Sequence, residues 1–125
     1  MQQLEIEVVL SGMYLKLTNN WRLINQKFSY TISLRNLFEA WGPYLYANDS
    51  IYRAKNDLER VISVIFELPS PQLSMESFNR VKLSLLGCGV IVLGLEERGL
   101  RPVECITLTK EGSELLQQLT LENSV

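Results

Sequence analysis

The period of the apolar residues changes three times along this chain, and those changes restrict the fold more than any composition value. Leu4, Ile6, Val8 and Leu10 alternate with Glu5, Glu7 and Val9, the period of two that sets one face of a strand against a core. Met13 to Thr18 and Trp21 to Ile24 continue the pattern on either side of Asn19-Asn20, a pair that tolerates the positive φ angles of a hairpin turn. Residues 1–30 therefore read as strands. After Ser33 the spacing becomes helical. Leu34, Leu37, Phe38, Trp41 and Leu45 share one face, with Ser33 as the cap and Gly42-Pro43 kinking the helix near its end.

Asp49 or Ser50 caps a longer helix whose stripe is Ile51, Ala54, Leu58, Val61, Ile62, Ile65 and Phe66. Pro69-Ser70-Pro71 stops it. Ser74 then caps a third helix, with Glu76 in the first turn complementing the helix dipole. Phe78, Val81, Lys82, Leu85 and Leu86 line one side of that helix, so the aliphatic stem of Lys82 lies along the core edge. Gly87-Cys88-Gly89 ends it. Here the period returns to that of strands: 90–95 and 105–108 are β-rich, and Glu96 to Pro102 between them reads as a long charged tip. Thr109 caps a last helix with Leu115, Leu116 and Leu119 inward.

At 125 residues the chain has room for one core, so residues 1–125 are read as a single domain. Hydrophobic residues make up 46% and charged residues 21%, enough apolar content to bury that core. The absence of histidine removes Ser-His-Asp and Cys-His catalysis and His-bearing metal sites, and two cysteines are too few for an all-cysteine zinc site. Leu83 to Leu95 is the longest uncharged run at thirteen residues, short of the roughly 18–20 that span a bilayer. The start, Met1-Gln2-Gln3-Leu4-Glu5, has no basic segment ahead of an apolar one. These features predict a cytoplasmic protein with reduced thiols and no membrane partner.

Helix, proline-containing turn, helix ending in Gly-x-Gly, strand, charged loop, strand and helix is the order of a winged-helix unit, the hairpin being the wing. The fold class expected is thus α+β: a winged-helix-like domain over residues 31–121 with an N-terminal β-strand hairpin extension over 1–30. The stretch from Ile106-Thr107-Leu108-Thr109 to Gly112 resembles the Leu-Thr-x-x-Gly segment that closes the wing in many bacterial winged-helix regulators. Its physical content is a strand ending in a threonine cap, with a glycine allowing close packing where the helix leaves the sheet. Phe78 to Ile91, that segment and Leu37-Phe38-Glu39-Ala40-Trp41-Gly42-Pro43-Tyr44-Leu45 together resemble the C-terminal tail module of bacterial proteins in which it follows a TIR-like domain of unknown function. This chain has Leu34 where that tail often has tryptophan and Cys88 where it usually has leucine, and its 125 residues hold no TIR-like domain. The resemblance implies a regulatory or interaction module and transfers no catalytic residue.

Two binding readings follow. In the first the partner is a protein, a second copy of the chain included, and exposed aromatics anchor it. Tyr and Trp suit that role because each joins a large apolar body to a hydrogen-bonding tip. Trp21, Phe28 and Trp41 read as core, which leaves Tyr44, Tyr46 and Tyr52 as the surface anchors. In the alternative, DNA, the third helix turns Ser77, Asn79, Arg80 and Ser84 outward, with Lys82 beside them and Arg98 and Arg101 on the wing reaching phosphates. Glu76, Glu96, Glu97 and Glu104 sit on or beside the same surfaces and oppose phosphate. The net charge is −2, and the acidic excess lies in 96–125, where six acidic side chains face three basic ones.

Catalysis is not indicated. Glu5 and Glu7 share a strand face, which solvation explains. Gly87-x-Gly89 follows a helix rather than a strand, so it is no phosphate cradle. Cys88 has no adjacent base and reads as a buried thiol at a helix end. The chain is read as a non-enzyme without cofactor or metal.

Overall fold

A computed structural model describes the backbone over residues 2–17, 20–46 and 48–122, and the side chains over the same residues except 11–26. Asn19 of the anticipated hairpin turn, and the side chains of Tyr14 and Trp21, lie outside the described residues. The fold is mixed α+β, with two three-stranded sheets and four α-helices among the described residues.

The alternating segment forms strand β1 (Gln3–Leu17), which pairs antiparallel with β2 (Asn20–Ser33) from Gln3 opposite Ser33 to Leu17 opposite Asn20. A register shift between Leu10 and Met13 marks a bulge. Below it, Leu4, Ile6, Val8 and Leu10 are buried while Glu5 and Glu7 are exposed, as the alternation requires. Ser33 Oγ accepts from the Asn36 amide and opens α1 (Leu34–Trp41). Gly42–Leu45 then tightens to a 3₁₀ turn, so the single kinked helix expected from the sequence is a short α-helix followed by a turn beginning at Gly42-Pro43.

Of the two candidate caps for the next helix, Ser50 takes the role: its Oγ accepts from the Arg53 amide at 3.3 Å and starts α2 (Ile51–Phe66). Asp49 joins it in a two-residue strand, β3 (Asp49–Ser50), and pairs with Arg53 at 3.6 Å. Beyond α2 the proline-rich segment is more than a turn. Pro71–Leu73 forms β4, which adds to the free edge of β1 with Val8 opposite Leu73 and Leu10 opposite Pro71. Proline is tolerated there as the first residue of an edge strand. The first sheet thus runs β2-β1-β4.

Ser74 caps α3 (Met75–Gly87), accepting from the Ser77 amide at 3.1 Å. The hairpin that follows, β5 (Ile91–Arg98) and β6 (Arg101–Leu108), stays paired as far as Arg98 opposite Arg101. This corrects the long charged tip: only Gly99-Leu100 turns, with φ +74° at Gly99, the conformation a two-residue hairpin turn asks of its first central residue. The second sheet runs β3-β6-β5.

Thr109 leads into α4 (Lys110–Glu122). Its hydroxyl accepts from the Gly112 amide at 3.0 Å and donates to the Gly89 carbonyl at 2.6 Å, tying both ends of the hairpin together. Gly112 lies against the Val90 backbone, and a β-carbon there would come within 2.8 Å of the Val90 carbonyl carbon. The close approach read from the Thr-x-x-Gly spacing is therefore present.

One buried cluster draws on both sheets and all four helices. Trp41, Phe38, Phe78, Ile6, Leu58, Ile62 and Leu85 are among its members. The Trp41 expectation holds. Phe28 departs from it: at 37% exposure its ring lies at the margin, 6.3 Å from Tyr30, which in turn stacks on Phe66 at 4.6 Å. Replacing Gly112 by alanine forces the helix off the Val90 backbone. A loss of about 1–3 kcal/mol is expected, read as a lower urea midpoint with an unchanged m-value.

Candidate interaction surface

The inward residues of α3 decide which of its side chains can meet a partner. Phe78, Val81 and Leu85 are buried, and Arg80 and Leu83 point to solvent. Asn79 and Ser84 are half-buried. Ser77, assigned outward from the sequence, is 3% exposed. The correction follows from helical geometry: 77, 81 and 85 are spaced by four and share the core stripe. Ser77 cannot reach a base edge.

Three of the four basic candidates, Arg80, Lys82 and Arg98, are each paired with an acid. Arg80 lies 3.5 Å from Glu76, one turn back on α3. Lys82 keeps its stem against the core edge, with 14% of the side chain exposed, and its Nζ is 3.5 Å from Glu104 on β6. Arg98 donates to Glu96 at 3.0 Å and to the Asn48 carbonyl at 3.0 Å, while Asn48 donates in turn to Glu96. The hydrogen bond to Glu96 is the main reason the Arg98 pKa lies above its ordinary value. Arg101 is exposed and makes no ion pair among the described residues. Each exposed pair contributes little to stability, but it cancels the local field that a polyanion would need.

The three tyrosine anchors are all exposed: Tyr44 at 46%, Tyr46 at 53% and Tyr52 at 81%. They do not share a groove. Tyr46 lines a shallow one with Pro43 and the α4 residues Leu116, Gln117, Thr120 and Leu121. Tyr52, on the first turn of α2, lines a wider groove of about 750 Å³ with Ile51, Lys55, Met75, Arg98 and the β6 residues Arg101 to Glu104. Met75, Pro102 and Val103 were not among the sequence candidates. No local pattern marks them, because only the fold brings the starts of α2, α3 and β6 together.

A smaller apolar pocket of about 320 Å³ lies among Leu34, Phe38, Leu85, Val90, Leu115 and Leu119, with the Arg35–Glu122 ion pair at its rim. Cys88 also lines it and is exposed, which corrects the buried thiol expected at the end of α3. The residue sits at the C-cap, where the helix stripe no longer dictates burial. Glu5 and Glu7 are solvated on β1, across from Thr31 and Ser29. Among the described residues, no three His, Cys, Asp or Glu side chains come together as a metal-binding group, and no helix is long and apolar enough to cross a membrane.

Comparison with protein-family models, with curated proteins and with solved structures finds no match for this chain.

Among the described residues, Asp57 on α2 is a titratable group affected by burial, 9% exposed and 4.0 Å from Arg60. Desolvation, and then the negative charge of Asp49, raise its pKa above the usual aspartate value. A carboxyl with a higher pKa folded than unfolded loses stability as pH rises through that interval, because the folded state holds the proton longer. Asp57 therefore costs stability at neutral pH. Asp57→Asn is expected to raise the urea midpoint at pH 7, with the advantage over wild type shrinking as pH falls through the raised pKa.

Proposed function

We propose that the chain is a non-catalytic protein-interaction or regulatory module, a winged-helix-like unit over residues 31–121 with an N-terminal β extension. The element order α1, β3, α2, α3, hairpin supports this reading, as does the sheet order β3-β6-β5, in which the strand ahead of α2 pairs with the returning arm of the hairpin. In that arrangement β5 and β6 form the wing. The likeness of residues 31–121 to the tail module found after TIR-like domains supports a regulatory role. Free thiols at Cys88 and Cys105 suit a reducing compartment such as the cytoplasm.

The observation that carries the choice of protein over DNA is the pairing of Arg80, Lys82 and Arg98 with Glu76, Glu104 and Glu96. DNA affinity comes largely from counterion release, which needs cations free to neutralise phosphate. A protein partner needs instead exposed apolar and aromatic area, which Tyr44, Tyr46 and Tyr52 offer. The partner in this reading is another protein, a second copy of the chain being one case.

The test is binding to mixed-sequence duplex DNA across a salt series, with light scattering on the same sample. The proposal expects no retention, or a plot of log affinity against log salt no steeper than about −2. A steep salt dependence, abolished by Arg80→Ala and Arg101→Ala, overturns it in favour of a DNA-binding regulator.

A further inference from the structure

The groove beside Tyr52 sets a cation beside exposed apolar walls. Its cations and carboxylate are largely spoken for: Lys55 is 3.3 Å from Glu59, Arg98 is held by Glu96, and Glu104 is held by Lys82. Arg101 is the exception, an exposed guanidinium at the groove wall with no ion pair among the described residues. Next to it in sequence lies Pro102, and the helical wall presents Tyr52 at 81% and Met75 at 53% exposure. A groove with one positive charge uncompensated among the described residues, and with exposed apolar walls, complements a ligand with one negative charge beside an apolar group.

We propose that this groove docks a short peptide segment of a partner protein, with an Asp or Glu side chain on Arg101 and a neighbouring apolar side chain against Tyr52, Met75 and Pro102. The inference rests on the interaction-module reading above and names the partner's chemistry. A carboxylate matches the planar guanidinium through two parallel hydrogen bonds. Tyr and Met supply contact area that adapts to different apolar side chains. The positive ends of the α2 and α3 dipoles, whose first residues Ile51 and Met75 border the groove, add to the same field. Duplex DNA fits less well, since it would bring a row of phosphates past Glu96, Glu97 and Glu104.

The test is selection of a random dodecapeptide phage library on the purified full chain, followed by fluorescence polarisation with the enriched peptides. The expected peptides carry an Asp or Glu beside an aromatic or aliphatic residue. Arg101→Glu should weaken them by at least about tenfold and Tyr52→Ala by a comparable factor. Lys110→Glu changes the net charge equally on α4, away from the groove, and should leave affinity within about twofold. Peptides without an acidic residue, or binding indifferent to Arg101→Glu, overturn the groove assignment while leaving an interaction module in place. Enrichment of nothing overturns the groove assignment as well, and joined to steep salt-dependent DNA binding it overturns the module reading too.

Discussion

The Trp41 side chain holds the three central helices in register. It ends α1, is fully buried, donates its indole N–H to the Ala54 carbonyl on α2 at 3.0 Å and meets the Phe78 ring of α3 edge to face at 6.0 Å. A buried indole N–H without an acceptor costs about 1–3 kcal/mol, so the ring is seated only where the Ala54 carbonyl can be reached. The position of α2 then decides the rest. Glu59, further along α2, accepts from the Leu73 amide at 2.8 Å and from Lys55 at 3.3 Å. Leu73 belongs to β4, and β4 is the strand that pairs with β1. Through this sequence of contacts the N-terminal hairpin becomes part of the same core instead of an appendage beside it.

The surface follows from that arrangement. With α2 and α3 fixed, their first turns converge on the start of β6 and form the Tyr52 groove without any segment having to move. The same packing sets Lys82 opposite Glu104 across α3 and β6, and the paired hairpin carries Arg98 next to Glu96. Arg80, Lys82 and Arg98 look available along the sequence but are neutralised by an acid one helical turn back, one on another element and one on the same strand. In the Tyr52 groove the exposed residues include Tyr52 and Met75, with Arg101 unpaired among the described residues.

Local chemistry was readable in advance wherever one residue type acts on its own neighbours. Ser33, Ser50 and Ser74 each precede a helical stripe and each caps it, and the Thr109–Gly112 spacing announced the close approach at Val90. The unread parts depend on partners distant in sequence. Three residues such as Pro71–Leu73 carry no period, so β4 is visible only once β1 lies beside it. Glu96 to Pro102 looks like a loop because its charges mask strand pairing that continues to Arg98 and Arg101. Ser77 misled through its polarity, although its spacing from Val81 and Leu85 belonged to the buried stripe. Phe28 misled through its apolarity, although it sits where the sheet runs out of core. The site was half legible for the same reason: Tyr52 and Arg101 stand out by residue type, while Met75, Pro102 and Val103 join them only in three dimensions.

The hairpin and the helices form one cooperative unit through Trp41, Glu59 and β4. Native-state amide hydrogen exchange tests it most directly, because each amide reports the free energy of the opening that exposes it. The hydrogen-bonded amides of residues 4–10, together with that of Leu73, should share the slowest exchange class with the amides of α2. Exchange of residues 4–10 through a separate, lower-energy opening, with α2 still protected, would make the hairpin an independent attachment and not part of that unit.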